Sequence, residues 1–349
     1  MAIQVTDLVD LLNSTTAKYT RDTFEDLSLP LQSYVMIPQI LRKNMESEPG
    51  GTSLKFDLMT GTNLNASAVG FFYKRDIAAV DNSIQGDVPW SRYQNHYAME
   101  TGEVELNARY PEKIVSLKSM RRAGCIGDLV KIVETDGWGN SSSALKIKGV
   151  RHWIVKSTAS APALTANLPT GYTSIAGIIP STANNWMNHA GAFTTISEDD
   201  GIAKMRKTAF LCDFRNPVKK YVSEIASSQP DRGWYMGYDI AADIEKYLKT
   251  QNEQLGNEAD PFRGKGKVSG VSVYAVPHLD DDSDDPMYLI DWSKLYAKRV
   301  GDKEWLGENS KQHPDYPTTA VTDIVLPFFN LCCHNRRHLG VLSKTANNN

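Results

Sequence analysis

The chain has 349 residues, 41% apolar and 23% charged, with a formal net charge of −3. This composition is ordinary for a globular protein of about two packed units and excludes wholesale disorder. A charge so near zero excludes a protein that coats nucleic acid over most of its surface, but not one with a locally basic face. Four cysteines, Cys125, Cys212, Cys332 and Cys333, form no CxxC pair and supply no zinc-ligand spacing. They read as reduced, mostly buried thiols of a protein made in a reducing cytosol. Met1 to Asp7 lacks the basic segment and apolar run of a signal peptide. No stretch of about 18 apolar residues suits a bilayer, so no membrane role is expected.

Residues 1–50 read as short helices and extended pieces. Thr6 caps a helix carrying Leu8, Val9, Leu11 and Leu12, and a second helix is predicted over Pro38 to Met45. So few apolar stripes suit an arm laid on a neighbour better than a domain. Leu54 to Leu58 alternates as a half-exposed strand, Val69 to Tyr73 is a second strand, and Tyr93 to Leu106 a third. Asp81-Asn82-Ser83 and Gly86-Asp87 read as turns. Together these describe a projecting hairpin, which is marginal unless it lies on something.

The strongest helix is predicted over 112–134, with Ile114, Leu117, Cys125, Ile126, Leu129, Val130 and Val133 on one stripe. Asp136 to Asn140 should end it. Residues 140–195 read as irregular. A helix capped by Ser197 should turn Ile202, Met205, Ala209 and Phe210 inward. Another, Tyr238 to Leu255, should bury Ile240, Ile244, Tyr247, Leu248 and Leu255. Val268 to Pro277, Met287 to Ile290, Leu295 to Val300, Val321 to Leu326 and Asn335 to Leu342 read as strands, and 301–320 as a polar loop. Strands and helices are segregated, so the fold class is α+β.

No catalytic signature is present: no phosphate loop, no GxSxG elbow, no HExxH. Gly264, Gly266 and Gly270 have the wrong spacing for a dinucleotide fingerprint and read as a loop. The acidic run Asp280, Asp281, Asp282, Asp284, Asp285 fails the calcium-loop pattern, with Asp285 where Gly belongs and Asp291 where a bidentate Glu belongs. It reads as a solvated turn. His334 and His338 share a face but lack a third ligand. With Arg336 and Arg337 beside them, phosphate or metal binding is one reading; the favoured one is a strand whose arginines, on opposite faces, pair with carboxylates inside the subunit or across an interface. Trp90, Tyr93, Tyr97, Trp138, Trp153 and Trp186 are too scattered for a stacking platform and read as anchors of loops or subunit contacts. No catalytic, cofactor-binding or metal-binding residue is assigned.

The succession of elements then becomes informative. Trp90-Ser91-Arg92-Tyr93 through Glu103, Asn107 and Pro111-Glu112-Lys113-Ile114 resembles the return strand of an E-loop running into a spine helix. Gly270 to Pro277, Asp285 to Asp291, Pro327 to Leu331 and Asn335-Arg336-Arg337-His338 resemble the C-terminal half of the same coat proteins. The order is similar to that of major capsid proteins of tailed bacteriophages, the Hong Kong 97-type fold. The resemblance implies an N-terminal arm (1–50), an E-loop (51–110), a P-domain with its spine helix (111–215), an A-domain (216–280) and returning C-terminal strands (281–349).

It also implies a non-enzymatic subunit that assembles as hexamers and pentamers into an icosahedral head around double-stranded DNA. Its places would be the virion and, during assembly, the host cytoplasm. Implied partners are a separate scaffolding protein, a portal, cement or decoration proteins, and DNA touched without sequence preference. Some members crosslink an E-loop Lys to an Asn; Lys55 and Lys74 lie in the matching region, and no crosslink is inferred. The alternatives are an encapsulin-type compartment shell, a minor virion protein, and, from another class, a soluble α+β hydrolase.

Overall fold

The computed structural model describes residues 34–40, 46–61, 66–71, 81–100, 102, 117–213, 230–251, 266–301, 306–312, 314 and 319–344. The arm helix at Thr6, residues 62–65 and 72–80 of the hairpin, and residues 101 and 103–106 of the predicted third strand lie outside the described residues.

Helix α1 (Met36–Ile40) leads into β1 (Glu46–Glu48), and β2 (Ser53–Met59) pairs antiparallel with β3 (Ser83–Pro89) as a separate two-stranded ribbon. β4 (Gln94–Glu100) follows. The long helix α2 (Leu117–Trp138) packs against it, and the short α3 (Val150–Trp153) comes next. β5 (Ala163–Thr165), β6 (Asn188–Ala192), helix α4 (Ala203–Cys212), β7 (Arg232–Met236) and helix α5 (Tyr238–Gln251) follow in turn. The chain continues through β8 (Lys267–Val268), β9 (Val271–Ala275), β10 (Met287–Asp291) and β11 (Leu295–Val300). It closes with β12 (Gly307–Gln312), β13 (Thr319–Val325), β14 (Phe329–Cys333) and β15 (Gly340–Ser343).

A seven-stranded mixed sheet runs in the order β5-β6-β15-β10-β7-β9-β8. Its alternation decides the two cores. Trp234, Met236, Met287, Leu289 and Leu342 point to one face, where α4 and α5 bring Ile202, Met205, Ala209, Ile240 and Ile244. Tyr235, Tyr288, Ile290 and Val341, their sequence neighbours, point to the other face and join the main core. A strand covered on both faces reads as a continuous apolar run, as Met287–Asp291 does. Two smaller sheets, β1-β11-β14 and β12-β13-β4, complete the body.

The helix α2 buries Cys125, Leu129 and Val133 along the predicted stripe. It ends at Trp138, inside the Asp136 to Asn140 stop and one turn past 134, and α1 packs on that last turn. A Cβ at Gly137 would lie 2.5 Å from Cγ of Met36, so only glycine permits the approach. The buried Glu134 carboxylate accepts from the backbone N–H groups of Val35, Met36 and Ile37 and from Trp138 Nε1, all at 2.9–3.0 Å. These are the orphan donors at the start of a helix, satisfied here by a residue 97–99 positions away.

Several sequence readings are corrected. Gly86-Asp87 is no turn; it lies inside β3, where Gly86 opposes Phe56. Val69 to Phe71 is not strand, and 72–73 lie outside the described residues. Val268 to Pro277 is a hairpin, not one strand, because Ser269 and Gly270 turn with φ of +52° and +77°. The polar loop 301–320 contains β12, exposed at every residue and held by its ladder to β13. Phe210 is 79% exposed, so the predicted inward face of α4 lacks it. Asn335 to Leu342 is a 3₁₀ turn followed by β15 rather than a continuous strand.

Candidate functional site

No chemistry-bearing constellation comes together among the described residues. No group of three His, Cys, Asp or Glu residues there is placed to hold a metal ion, and no described helix is long and apolar enough to cross a membrane. His334 is held by aromatic neighbours. Its ring packs against Phe56 at 5.4 Å and edge-on against Tyr296 at 5.2 Å, with the Tyr296 hydroxyl at hydrogen-bond distance. Gly270 sits in the β8–β9 turn, away from any helix start. All four cysteines are free and buried.

The acidic run is a turn in which Asp280 and Asp281 are exposed, but it is not merely solvated: Asp282, Asp284 and Asp285 are half-buried in ion pairs. Asp282 receives Arg151 at 2.7 Å and Lys156 at 3.1 Å, and Lys156 also reaches Asp284 at 3.0 Å. Lys344 holds Asp285 at 2.9 Å, and Asp280 accepts from the backbone N–H of Tyr238 at the start of α5. The loop is therefore an ion-pair hub joining three chain segments. Sequence spacing could not show this, because Arg151 and Lys156 lie more than 120 residues upstream and Lys344 lies 59 residues downstream of its partner. Calcium is expected to leave the urea midpoint unchanged relative to EDTA, since lysine and arginine already occupy the carboxylates. Asp282→Asn should lower stability by about 2–3 kcal/mol, less than a fully buried pair because Arg151 and Asp284 keep contact with water. An unchanged unfolding midpoint for that variant would sink this account.

Arg336 is fully buried and, among the described residues, pairs with no carboxylate, against the sequence reading. It donates to the carbonyls of Trp153 and Trp186 and to Oδ1 of Asn188, each at 2.8 Å, and lies 5.8 Å from the Trp186 ring. Burial pushes its guanidinium down to about 10, which leaves it charged at neutral pH. Asn188 in turn bonds the backbone of Val155 in both directions. The scattered aromatics anchor loops inside the subunit, as one of the two sequence readings had it. Trp153 donates to Lys148 O, Trp186 to Ile175 O and Trp90 to Gly51 O. Tyr93 donates to Asp136 and accepts from Ile147 N.

The surfaces that face outward are more informative. On the body-facing side of β2, burial falls from base to tip: Leu54 and Phe56 are buried and Leu58 is half-buried. Met59 is on the opposite, outward face with the exposed Lys55 and Asp57, and is 73% exposed. Across the ladder Val88 and Gly86 are buried and Ile84 is half-buried. Beyond the strands, Val69 is 59% and Phe71 99% exposed. The base is clamped by Asp87 N to Ala176 O (2.8 Å), Asn330 Nδ2 to Pro89 O (2.7 Å), and a reciprocal Ser91–Phe329 backbone pair. A fixed base with an apolar, uncovered outer part is the form of an element whose partner is another surface.

This arrangement of ribbon, long helix, three-stranded sheet and helix-covered seven-stranded sheet is the Hong Kong 97-type capsid fold, an α+β fold. Solved structures with the same arrangement span nearly the whole chain. The Cyanophage A-1(L) capsid asymmetric unit matches with TM-score 0.57 and 11% identity over 96% of this chain and 99% of that one. The capsid of the native GTA particle matches with TM-score 0.55 and 9% identity over 93% and 94%. Microbacterium phage Oxtober96 matches with TM-score 0.54 and 9% identity over 99% of both. No protein-family model matches the chain. No curated protein matches it either.

Proposed function

We propose that the chain is the major capsid protein of a tailed bacteriophage, a structural and non-catalytic subunit. Self-association as hexamers and pentamers would close an icosahedral shell around double-stranded DNA. The observation that carries this reading is the burial gradient of the β2–β3 ribbon, hydrogen-bonded to the body at its base and apolar further out, where none of the described residues covers it. The fold supports it, because similar chains at similar length form capsids. On this reading residues 1–50 are the N-terminal arm, 51–110 the E-loop, 111–215 the P-domain, 216–280 the A-domain and 281–349 the returning strands. Heterologous contacts of ribbon on neighbour generate rings when the rotation closes. A separate scaffolding protein, a portal, cement proteins and non-specific DNA contact go with this role, as do the virion and, before it, the host cytoplasm.

Electron microscopy and sedimentation of the purified full-length chain test the proposal. Large uniform particles are expected. Met59→Ser with Phe71→Ser should cut particle yield at least about tenfold, since each apolar side chain covered at a contact contributes about 1.5–3 kcal/mol. Subunit stability should stay within about 0.5 kcal/mol, because both side chains are exposed in the subunit. A chain that stays monomeric under all assembly conditions, with or without scaffold, refutes the reading.

A further inference from the structure

A two-stranded ribbon has no sheet of its own to set its direction. Its angle to the body must come from contacts at two separated points. The first point is the base, where Leu54 and Val88 are buried and Asp87 donates to Ala176 O. The second lies one cross-strand pair further out, at Phe56 and Gly86, which face each other in the β2–β3 ladder. That pair is the outermost buried pair of the ribbon, because Leu58 and Ile84 beyond it are only half-buried.

The Phe56 ring sits 6.1 Å from the Trp186 ring at 40° and 5.4 Å from the His334 ring at 42°. Both walls of this slot belong to the body and are themselves held. Trp186 donates to Ile175 O, and its own carbonyl accepts from Arg336. His334 donates its backbone N–H to Lys294 O and stacks edge-on against Tyr296. The floor of the slot is the backbone of Gly86. A Cβ there would overlap the Phe56 ring at three of its carbons, so the ring can seat only because residue 86 is glycine. At about 3.3 Å per residue, the strand already reaches ~10 Å past this anchor at Met59. A small tilt at Phe56 therefore becomes a large displacement of the exposed Val69 and Phe71.

We propose that Phe56 is a positioning residue: its ring, seated between Trp186 and His334 over Gly86, sets the angle of the ribbon. Through that angle it sets the curvature between neighbouring subunits. The second part rests on the shell reading; the first does not. Phe56 touches no other copy in this role. It acts by aiming residues that do.

The test measures the angle directly. Ser83→Cys, exposed at the outer end of β3, and Lys131→Cys carry nitroxide labels, and the four native cysteines are buried and spared. Labelled full-length chain is diluted about twentyfold into unlabelled chain, so dipolar spectroscopy reads an intramolecular distance in subunits and particles alike. The parent sequence should give one narrow distribution. Phe56→Ala should broaden it and give particles of mixed diameter. Gly86→Ala should displace the mean, because the new methyl meets the ring. Phe56→Leu combined with Gly86→Ala should return the mean towards the parent, since leucine keeps an apolar anchor and vacates the space.

If Phe56→Ala fails to fold, the two Gly86→Ala arms decide. Unchanged distances and unchanged diameters in the variants overturn the proposal, as does a common loss of thermal stability with the parent distribution intact. If the parent chain forms no particles, the shell reading falls while the distances still decide the role of Phe56.

Discussion

Arg336→Met is expected to destabilise the subunit by about 3–5 kcal/mol, the largest effect of any single polar substitution in the body. The carbonyls of Trp153 and Trp186 and Oδ1 of Asn188 would lose a donor in a site sealed from water. Each orphaned acceptor costs about 1–3 kcal/mol, discounted because Asn188 keeps its bonds to Val155. Arg336→Lys should recover little, because an ammonium on a single stem cannot reach three acceptors arranged for a planar fork. Against a typical total of about 5–15 kcal/mol, such a loss leaves the subunit marginal at 37 °C. Urea unfolding followed by fluorescence measures it. A shift under about 1 kcal/mol for Arg336→Met would show that the node is filled by water or by a neighbour.

Acid is expected to destabilise the fold well above the range where carboxylates titrate. Burial first, then Lys148 and Arg336, pushes His152 down to about 3. Burial first, then Arg337 and His338, pushes His189 down to about 4, and burial also lowers His338. The sign follows from the comparison with the unfolded chain. Below the ordinary value of 6.5 the unfolded chain binds protons that these folded sites refuse, so stability present at pH 7 is lost as pH falls from 6.5 towards 4. Each such proton contributes a slope of about 1.4 kcal/mol per pH unit. The carboxylates lowered in the fold, Asp81 and Asp200, act only below 3.8 and leave this window clear. Urea midpoints between pH 4.5 and 7.5 should rise with pH. In His152→Phe the slope should fall by at least about a third, as one of the two most strongly lowered histidines is removed. The aromatic replacement keeps the stacking on Trp153 and Tyr172. A flat profile in the parent sequence would exclude the buried histidines as the cause.

The amino-acid sequence was a good guide wherever a local period met one large core. The stripe of α2 is visible as Cys125, Leu129 and Val133, and Ile240 and Ile244 of α5 turn inward as spaced. Leu54 and Phe56 alternate as read, because one face of β2 lies on the body. It was a poor guide where the neighbour across the ladder, not the local residues, decides. Ser83–Pro89 carries glycine, aspartate and proline, turn formers by composition, yet pairs with β2 residue for residue. Gly307–Gln312 has no apolar side chain at all and is a strand only through its ladder to β13. Asp280–Asp285 reads as solvated until Arg151 and Lys156 arrive from a distant segment.

By itself, then, the sequence determined the segregation of helices and strands, the dominant helix, the absence of known catalytic patterns and the order of elements that resembles a capsid subunit. Those properties depend on periodicity and on residues close together in the chain. The tertiary structure alone decided that Arg336 is a buried three-way donor rather than half of an ion pair, and that Phe56 seats over Gly86. It alone showed that the ribbon turns from buried to exposed along its length. Those properties depend on contacts between residues 30 to 278 positions apart, Phe56 with Gly86 and Phe56 with His334 being the two ends of that range. No local pattern encodes such contacts, because burial at each position is set by what the rest of the chain brings to it.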